Sequence, residues 1–118
     1  MRDSGDSKTA TTGDSDGLVH IRSGDHLEAV IASNRTVLVD FYADWCGPCQ
    51  MLEPIVERLA AETPATVAKV DIDELRELAR ENEVQGVPTM LLYRDGELAK
   101  RIVGLREEGT LRDLVTGP

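Results

Sequence analysis

The chain has 118 residues, enough for one ordinary domain, and 41% of them are hydrophobic. No uninterrupted apolar stretch approaches the roughly 20 residues that span a bilayer, which excludes a transmembrane helix. The formal net charge of -9 argues against the basic face that nucleic-acid-binding proteins need. Two cysteines are too few for a disulfide-stapled secreted scaffold. We therefore expect a small, soluble, acidic domain that binds neither membranes nor nucleic acids.

The basic residues are mostly arginine, since only Lys8, Lys69 and Lys100 are lysines. An acidic, lysine-poor surface keeps a protein soluble where salt screens charge repulsion. The same bias is typical of an acidic protein from a GC-rich genome, so composition leaves open whether it reflects a high-salt cytoplasm.

Residues 1–17 contain two apolar side chains, Met1 and Ala10. Such a segment cannot offset the entropy cost of its own ordering. We predict a disordered acidic and polar tail over residues 1–17 and a folded domain over residues 18–118. The tail also lacks the apolar run of a secretory signal, which favours a cytoplasmic location.

Hydrophobic periodicity predicts strands and helices from residue 18 onward. Residues 18–21 suit a short edge strand, and Ser23 or Asp25 can cap the helix that follows. Residues 36–42 form a nearly continuous apolar run, which is typical of a central strand covered on both faces. An amphipathic helix of about four turns then begins near Cys46. Its polar face, which we expect to point to solvent, carries Glu53, Glu57 and Arg58.

The second half of the chain predicts a strand, a short helix, a hairpin and a closing helix. Residues 66–71 suit the strand, and Asp73 is placed to cap the short helix. Strands over residues 89–93 and 97–103 are joined by Asp95-Gly96, a strong tight-turn signal. The predicted order is β-α-β-α-β-α-β-β-α, an α/β fold whose mixed central sheet is flanked by helices.

Cys46 and Cys49 are separated by two residues at the predicted start of a helix. Unpaired backbone N–H groups and the helix dipole stabilise a thiolate at the first cysteine. The second cysteine follows about one turn later, where its sulfur can reach the first. Gly47 lets the backbone turn tightly, and Pro48 suits a first helical turn, where its missing N–H would be unpaired anyway. This spacing indicates a redox-active dithiol.

Other interpretations of the cysteine pair are weaker. A zinc site needs about four ligands, and His20 and His26 lie upstream at the wrong spacing, so we expect no metal. A structural disulfide across so short a loop constrains the unfolded chain very little. Two inert core cysteines at this spacing directly after Trp45 would be a coincidence.

The sequence resembles the thioredoxin family at two separate places. Residues 45–49, Trp-Cys-Gly-Pro-Cys, match the family's active site, and residues 86–89, Gly-Val-Pro-Thr, match its cis-proline loop. The predicted order of elements agrees with the family fold over residues 18–116. The resemblance implies a thioredoxin-like fold and a protein-disulfide reductase that cycles between dithiol and disulfide without a metal or bound cofactor.

The resemblance also implies roles for individual residues. Cys46 would be the attacking nucleophile and Cys49 the resolving thiol. Asp40 matches a buried proton acceptor beneath the active site, and Lys69 matches the buried lysine that tunes it. From the residues alone, Asp40 could instead point to water and Lys69 could be solvated.

A further set of positions would bind the substrate. Pro88 matches the cis-proline, although the residues alone leave a trans bond open. Val87 would offer backbone groups to an extended substrate segment, and Trp45 would shield the dithiol. The full implied substrate-binding set is Trp45, Gly47, Pro48, Gly86, Val87, Pro88 and Gly104, with Gly86 and Gly104 keeping the docking surface open.

The implied partners are disulfide-containing proteins and a thioredoxin reductase, and the expected state is a monomer. Two rival functions stay open: an oxidase or isomerase that uses the same chemistry, and a binding module whose dithiol is incidental. Gln50 stands where the family usually has a lysine or arginine, and Tyr42 where tryptophan is frequent. These departures leave the redox potential and the choice of reductase open.

Overall fold

A computed structural model of the chain describes residues 17–117. The predicted tail lies outside this range apart from its last residue, so disorder over residues 1–16 stays a prediction. Gly17 is described, and its carbonyl accepts a hydrogen bond from the Val67 N–H at 2.7 Å. The backbone contacts of the sheet therefore reach one residue further toward the N terminus than the predicted domain boundary.

Within residues 17–117, five strands and four helices follow one another in the predicted order, which confirms the fold class. They are β1 (Leu18–His20), α1 (Gly24–Ser33), β2 (Thr36–Tyr42), α2 (Gly47–Glu62), β3 (Thr66–Asp71), α3 (Arg76–Glu81), β4 (Thr89–Arg94), β5 (Glu97–Val103) and α4 (Glu108–Thr116).

The strands form one mixed sheet in the order β1-β3-β2-β4-β5. β1 and β2 pair with β3 in parallel, whereas β4 runs antiparallel to both β2 and β5. The apolar run of β2 therefore lies at the centre of the sheet, as predicted. The turn between β4 and β5 has positive φ angles of 53° at Asp95 and 85° at Gly96, which confirms the predicted tight turn.

Helices cover both faces of the sheet, and strand alternation decides which side chains meet which helices. Val37, Val39 and Phe41 of β2 pack in one cluster with side chains of α1 and α3. Leu38 of β2 packs in a second cluster with side chains of α2 and α4, as Val67 of β3 does. Residues at even positions of β2 and odd positions of β3 therefore face α2.

Two predicted caps differ in outcome. Ser23 caps α1, since its Oγ accepts a hydrogen bond from the His26 N–H at 3.0 Å. The prediction that Asp73 caps the next helix is wrong, because α3 follows Leu75, which makes no side-chain cap bond. Asp73 lies instead in a turn in which its own N–H donates a hydrogen bond to Asp71 Oδ1, with 2.9 Å between nitrogen and oxygen. Its own carboxylate is used elsewhere, at the candidate site.

We expect Arg94→Ala to destabilise the fold by about 2 kcal/mol, because half-buried charged hydrogen bonds contribute roughly this much. The Arg94 guanidinium donates to the carbonyl oxygens of Leu114 and Gly117, at the end of α4. Denaturant unfolding would measure the loss. Arg35→Ala is the control, because Arg35 makes an exposed pair with Asp95 and should contribute little. Equal effects of the two changes would contradict this account of the α4 terminus.

Candidate active site

The two cysteines lie at the N terminus of α2. Cys46 is the N-cap residue, and Pro48 occupies the first turn. The cysteines form a disulfide, with Cα atoms 5.2 Å apart, within the usual range for such a bond. The Cys49 N–H points at Cys46 Sγ, with 3.1 Å between nitrogen and sulfur. After reduction, this N–H group and the helix dipole would stabilise negative charge on the Cys46 sulfur.

Apolar side chains enclose the dithiol. Both cysteines are only 5% exposed. They pack with Ala43, and Tyr42, Ile72 and Val87 cover this small cluster. Such surroundings leave little of either cysteine exposed to solvent. Ile72, which the sequence analysis did not single out, follows β3 directly, where the ends of parallel strands bring loops beside the start of α2.

A backbone carbonyl of the loop around Pro88, here called the proline loop, faces the sulfur of Cys46. Cys46 Sγ lies 3.6 Å from the Val87 carbonyl oxygen. The peptide bond between Val87 and Pro88 is cis. The Pro88 carbonyl accepts a hydrogen bond from the Gly104 N–H at 2.8 Å, and Gly104 has a φ of 94° that favours glycine. Gly104 therefore lies next to the proline loop.

The surface beside the dithiol carries an exposed aromatic ring. Trp45 is 67% exposed, and its Nε1–H donates to Asp73 at 2.9 Å. This bond joins the cysteine motif to the loop after β3. The Asp73 carboxylate, which was predicted to cap α3, therefore bonds the Trp45 indole instead. A Cβ atom added at Gly47 or at Gly86 would meet no atom within 4 Å among the described residues. The space above both glycines is open.

A row of polar side chains crosses the sheet beneath α2. His20, Lys69 and Asp40 are neighbours in register on β1, β3 and β2. Asp40 is 1% exposed and Lys69 is 3% exposed. The alternatives of an Asp40 that points to water and of a solvated Lys69 are therefore excluded.

Burial raises the pKa of Asp40 to about 7. The Lys69 charge lowers that pKa, whereas the Glu53 charge raises it, and both effects are smaller than that of burial. The Asp40 carboxyl therefore changes its charge close to neutral pH.

Lys69 bonds a carboxylate other than that of Asp40. Its ammonium pairs with Glu53 of α2 and lies 4.2 Å from the centre of the Tyr42 ring. Asp40 Oδ1 is buried, and no hydrogen-bond donor reaches it within residues 17–117. The prediction that Glu53 faces solvent holds in part, since 37% of its side chain is exposed, but its carboxylate also pairs with the buried Lys69. Glu53 stands four residues after Cys49 and therefore on the same side of the helix. This spacing was the sequence signal that could have predicted its position beside the site.

A cleft of about 400 Å³ opens beside Cys49. Its lining residues are His20, Tyr42, Ala43, Asp44, Cys49, Gln50, Glu53 and Lys69. Gln50 closes part of the rim, since its side-chain amide donates to the Asp44 carbonyl at 2.9 Å. The cleft is polar enough to hold water and joins the second cysteine to solvent.

Two other features bear on cofactors and membranes. Within residues 17–117, no three His, Cys, Asp or Glu side chains are grouped so that they could hold a metal ion. None of the described helices combines the length and the apolar character needed to cross a bilayer.

Comparison with known proteins finds one family along nearly the whole described chain. Residues 18–117 match the family model described as Thioredoxin. A thioredoxin from Chlamydia pneumoniae is 46% identical over 99 residues, which cover 83% of this chain and 96% of that protein. A bifunctional thioredoxin reductase/thioredoxin from Mycobacterium leprae is 50% identical over 88 residues, 72% of this chain but 19% of that protein. A solved structure of a mutant thioredoxin from Halobacterium salinarum NRC-1 has a TM-score of 0.82 at 50% identity, covering 89% of this chain and 93% of that one.

Proposed function

This chain belongs to the thioredoxin family and is a thiol–disulfide oxidoreductase, and we propose that Cys46 and Cys49 divide its chemistry into attack and resolution. The Cys46 thiolate attacks one sulfur of a substrate disulfide and displaces the other as a thiolate. Cys49, once deprotonated, attacks Cys46 Sγ and releases the second substrate thiolate. Two electrons pass to the substrate, and the Cys46–Cys49 disulfide is left behind.

One observation carries this division of roles. The Cys49 N–H points at Cys46 Sγ, at the positive end of the α2 dipole. Cys46 therefore gains the stabilisation that favours a thiolate, while Cys49 lines the inner cleft beside Lys69. The sulfur with the more stable thiolate suits the first attack, and the sulfur beside buried ionisable groups suits a step that begins with loss of a proton.

We propose that Asp40 accepts the proton of Cys49 through a water, with Lys69 tuning the charge of that carboxyl. A base works best when its pKa lies near the working pH, and burial raises the pKa of Asp40 to about 7. Its carboxyl oxygen Oδ1, which receives no hydrogen bond from the described part of the chain, supports the same role. Asp40 and Lys69 are neighbours in register, and Lys69 lines the cleft that Cys49 also lines.

The substrate would lie as an extended segment across the proline loop. Val87 offers its carbonyl oxygen beside Cys46 Sγ, at 3.6 Å, and Pro88 shapes the loop. The open space above Gly47 and Gly86 lets another backbone approach closely. Recognition through main-chain groups depends little on side chains, as in other modes of strand addition. Proteins with accessible disulfides are therefore the proposed substrates, and exposed Trp45 is a contact for them.

We propose a thioredoxin reductase as the partner that restores the dithiol. The name of the Mycobacterium leprae relative joins a thioredoxin reductase and a thioredoxin in one protein, and its matched region resembles this chain. The dithiol cycle itself uses no metal and no bound cofactor. We further propose that the protein is a monomer. We also propose a cytoplasmic location, because a reductant works where other systems keep thiols reduced.

The reduction potential tests the reducing direction. We expect a value near about −270 mV, as for thioredoxin-type reductants, because the Gly47-Pro48 pair resembles the reducing members of the superfamily. Equilibration of the protein with a dithiothreitol redox buffer, followed by thiol labelling, would measure the potential. A value near about −180 mV would indicate an isomerase or oxidase and would contradict the proposed direction.

A further inference from the structure

Asp40, Glu53 and Tyr42 lie around the buried Lys69 ammonium. Asp40 lies beside it in the β-sheet register, Glu53 of α2 lies above the sheet, and the Tyr42 ring lies 4.2 Å away. The ammonium hydrogen-bonds the Glu53 carboxylate, although Glu53 is a residue on a different element. A lysine that is 3% exposed needs such a partner, since an unpaired buried charge is costly.

The consequence falls on Asp40. Two opposite charges next to each other on neighbouring strands would ordinarily pair, and the aspartate would then be held by hydrogen bonds from the lysine. Here the ammonium is engaged by Glu53, and Asp40 Oδ1 stays without a donor in the described chain. Burying an acceptor in this way has an energetic cost, and such costs are often found where a group has a chemical task.

Glu53 and Cys49 are fixed to the same helix face. They stand four positions apart on α2, so both project toward the sheet and both line the cleft. The helix therefore places the Cys49 sulfur and the Glu53 carboxylate together beside the Asp40–Lys69 pair.

We propose that Glu53 is a positioning residue for the resolving step: it holds the Lys69 ammonium toward the cleft, so that one oxygen of Asp40 stays free to receive the proton of Cys49. This inference rests on the proposed role of Asp40 as the proton acceptor. It adds a third member, supplied by α2, to the charged pair that the sheet supplies.

Several other groups face Asp40 and Lys69 and enter any pH dependence. β1 supplies His20, and β2 with its following loop supplies Tyr42 and Asp44. Burial and nearby carboxylates raise the pKa of Tyr42 to about 12, so its phenol stays neutral over the relevant range. β4 places apolar Met90 opposite Asp40. Because His20 lines the same cleft, the Asp40 carboxyl has to be observed directly.

The test is an NMR titration of the Asp40 side-chain carboxyl carbon in the reduced full-length protein. We expect Glu53→Gln to lower the titration midpoint by about one pH unit, a tenfold change in proton affinity. The change removes a like charge and frees Lys69 to bond Asp40. Glu57→Gln is the matched control, because Glu57 is an exposed carboxylate one turn further along α2. We expect it to leave the midpoint unchanged.

A kinetic measurement ties the result to the reaction. The decay of a mixed disulfide on Cys46, followed against pH, should show its inflection shifted down in Glu53→Gln by the same amount as the midpoint. If Asp40→Asn slows this decay while Glu53→Gln leaves both midpoint and inflection at their wild-type values, the role of Glu53 is overturned and that of Asp40 stands. If Asp40→Asn resolves at the wild-type rate, the proposed acceptor role itself fails, and the role of Glu53 in the reaction falls with it.

Discussion

Cys46→Ser is expected to lose disulfide reduction down to the level of the uncatalysed reaction. A serine hydroxyl is a far weaker nucleophile than a thiolate, and the N–H group that points at Cys46 Sγ cannot compensate for the lost sulfur. Insulin reduction in the presence of dithiothreitol would measure the loss.

Cys49→Ser provides the complementary result. The first attack stays possible in this variant, so mixed disulfides should accumulate on Cys46 and could be identified by mass spectrometry. Insulin reduction that survives Cys46→Ser would contradict the assignment of the nucleophile. It would favour the rival in which the domain is a binding module with an incidental dithiol.

Asp40→Asn is expected to stabilise the fold at neutral pH, by up to about 4 kcal/mol from linkage alone. Burial raises the pKa of Asp40 from 3.8 to about 7, so the folded state binds a proton more tightly than the unfolded state. The stability that the protonated Asp40 carboxyl contributes is therefore fully present below about pH 4 and is lost as the pH rises from there through about 7. An asparagine carries no charge, so its stability curve should be flatter across this window.

Denaturant unfolding at a series of pH values would measure this difference. Asp113→Asn is the control, because Asp113 is exposed on α4 and its replacement should leave the shape of the curve unchanged. The resolving step should slow in Asp40→Asn, most clearly between about pH 7 and 8, where the Asp40 carboxyl is ionised in the wild type while a cysteine of ordinary pKa is still mostly protonated. A variant that is less stable and resolves mixed disulfides normally would make Asp40 a structural hydrogen-bonding residue.

The order of strands and helices could be predicted because it depends on local patterns. The apolar run of β2 and the spacing of Cys46 and Cys49 are both visible within a few residues. The pairing of Lys69 with Glu53 beneath the dithiol could not be predicted, because the two residues stand 16 positions apart and belong to different elements. A glutamate on the polar face of a helix ordinarily points to water, and only the packed position of α2 on the sheet brings the Glu53 carboxylate to Lys69 as well.

The error at Asp73 has the same physical origin. An aspartate shortly before a helix is a good cap by local rules, but its partner is the Trp45 indole, 28 positions away. A local preference worth about 1 kcal/mol is easily outweighed by a tertiary contact. The residues that sequence reasoning missed at this site are therefore those whose partners come from distant elements.

The two edges of the sheet carry a consequence for behaviour at high concentration. A long, flat, apolar edge strand invites pairing with a second molecule and then aggregation. β1 has only 3 residues, which is too short to serve as such a template. β5 is longer but carries Glu97, Lys100 and Arg101, and its pairing with β4 is irregular at Leu92 and Tyr93. The charges and irregular register of β5 therefore protect one edge of the sheet from pairing with a second molecule. The shortness of β1 protects the other edge.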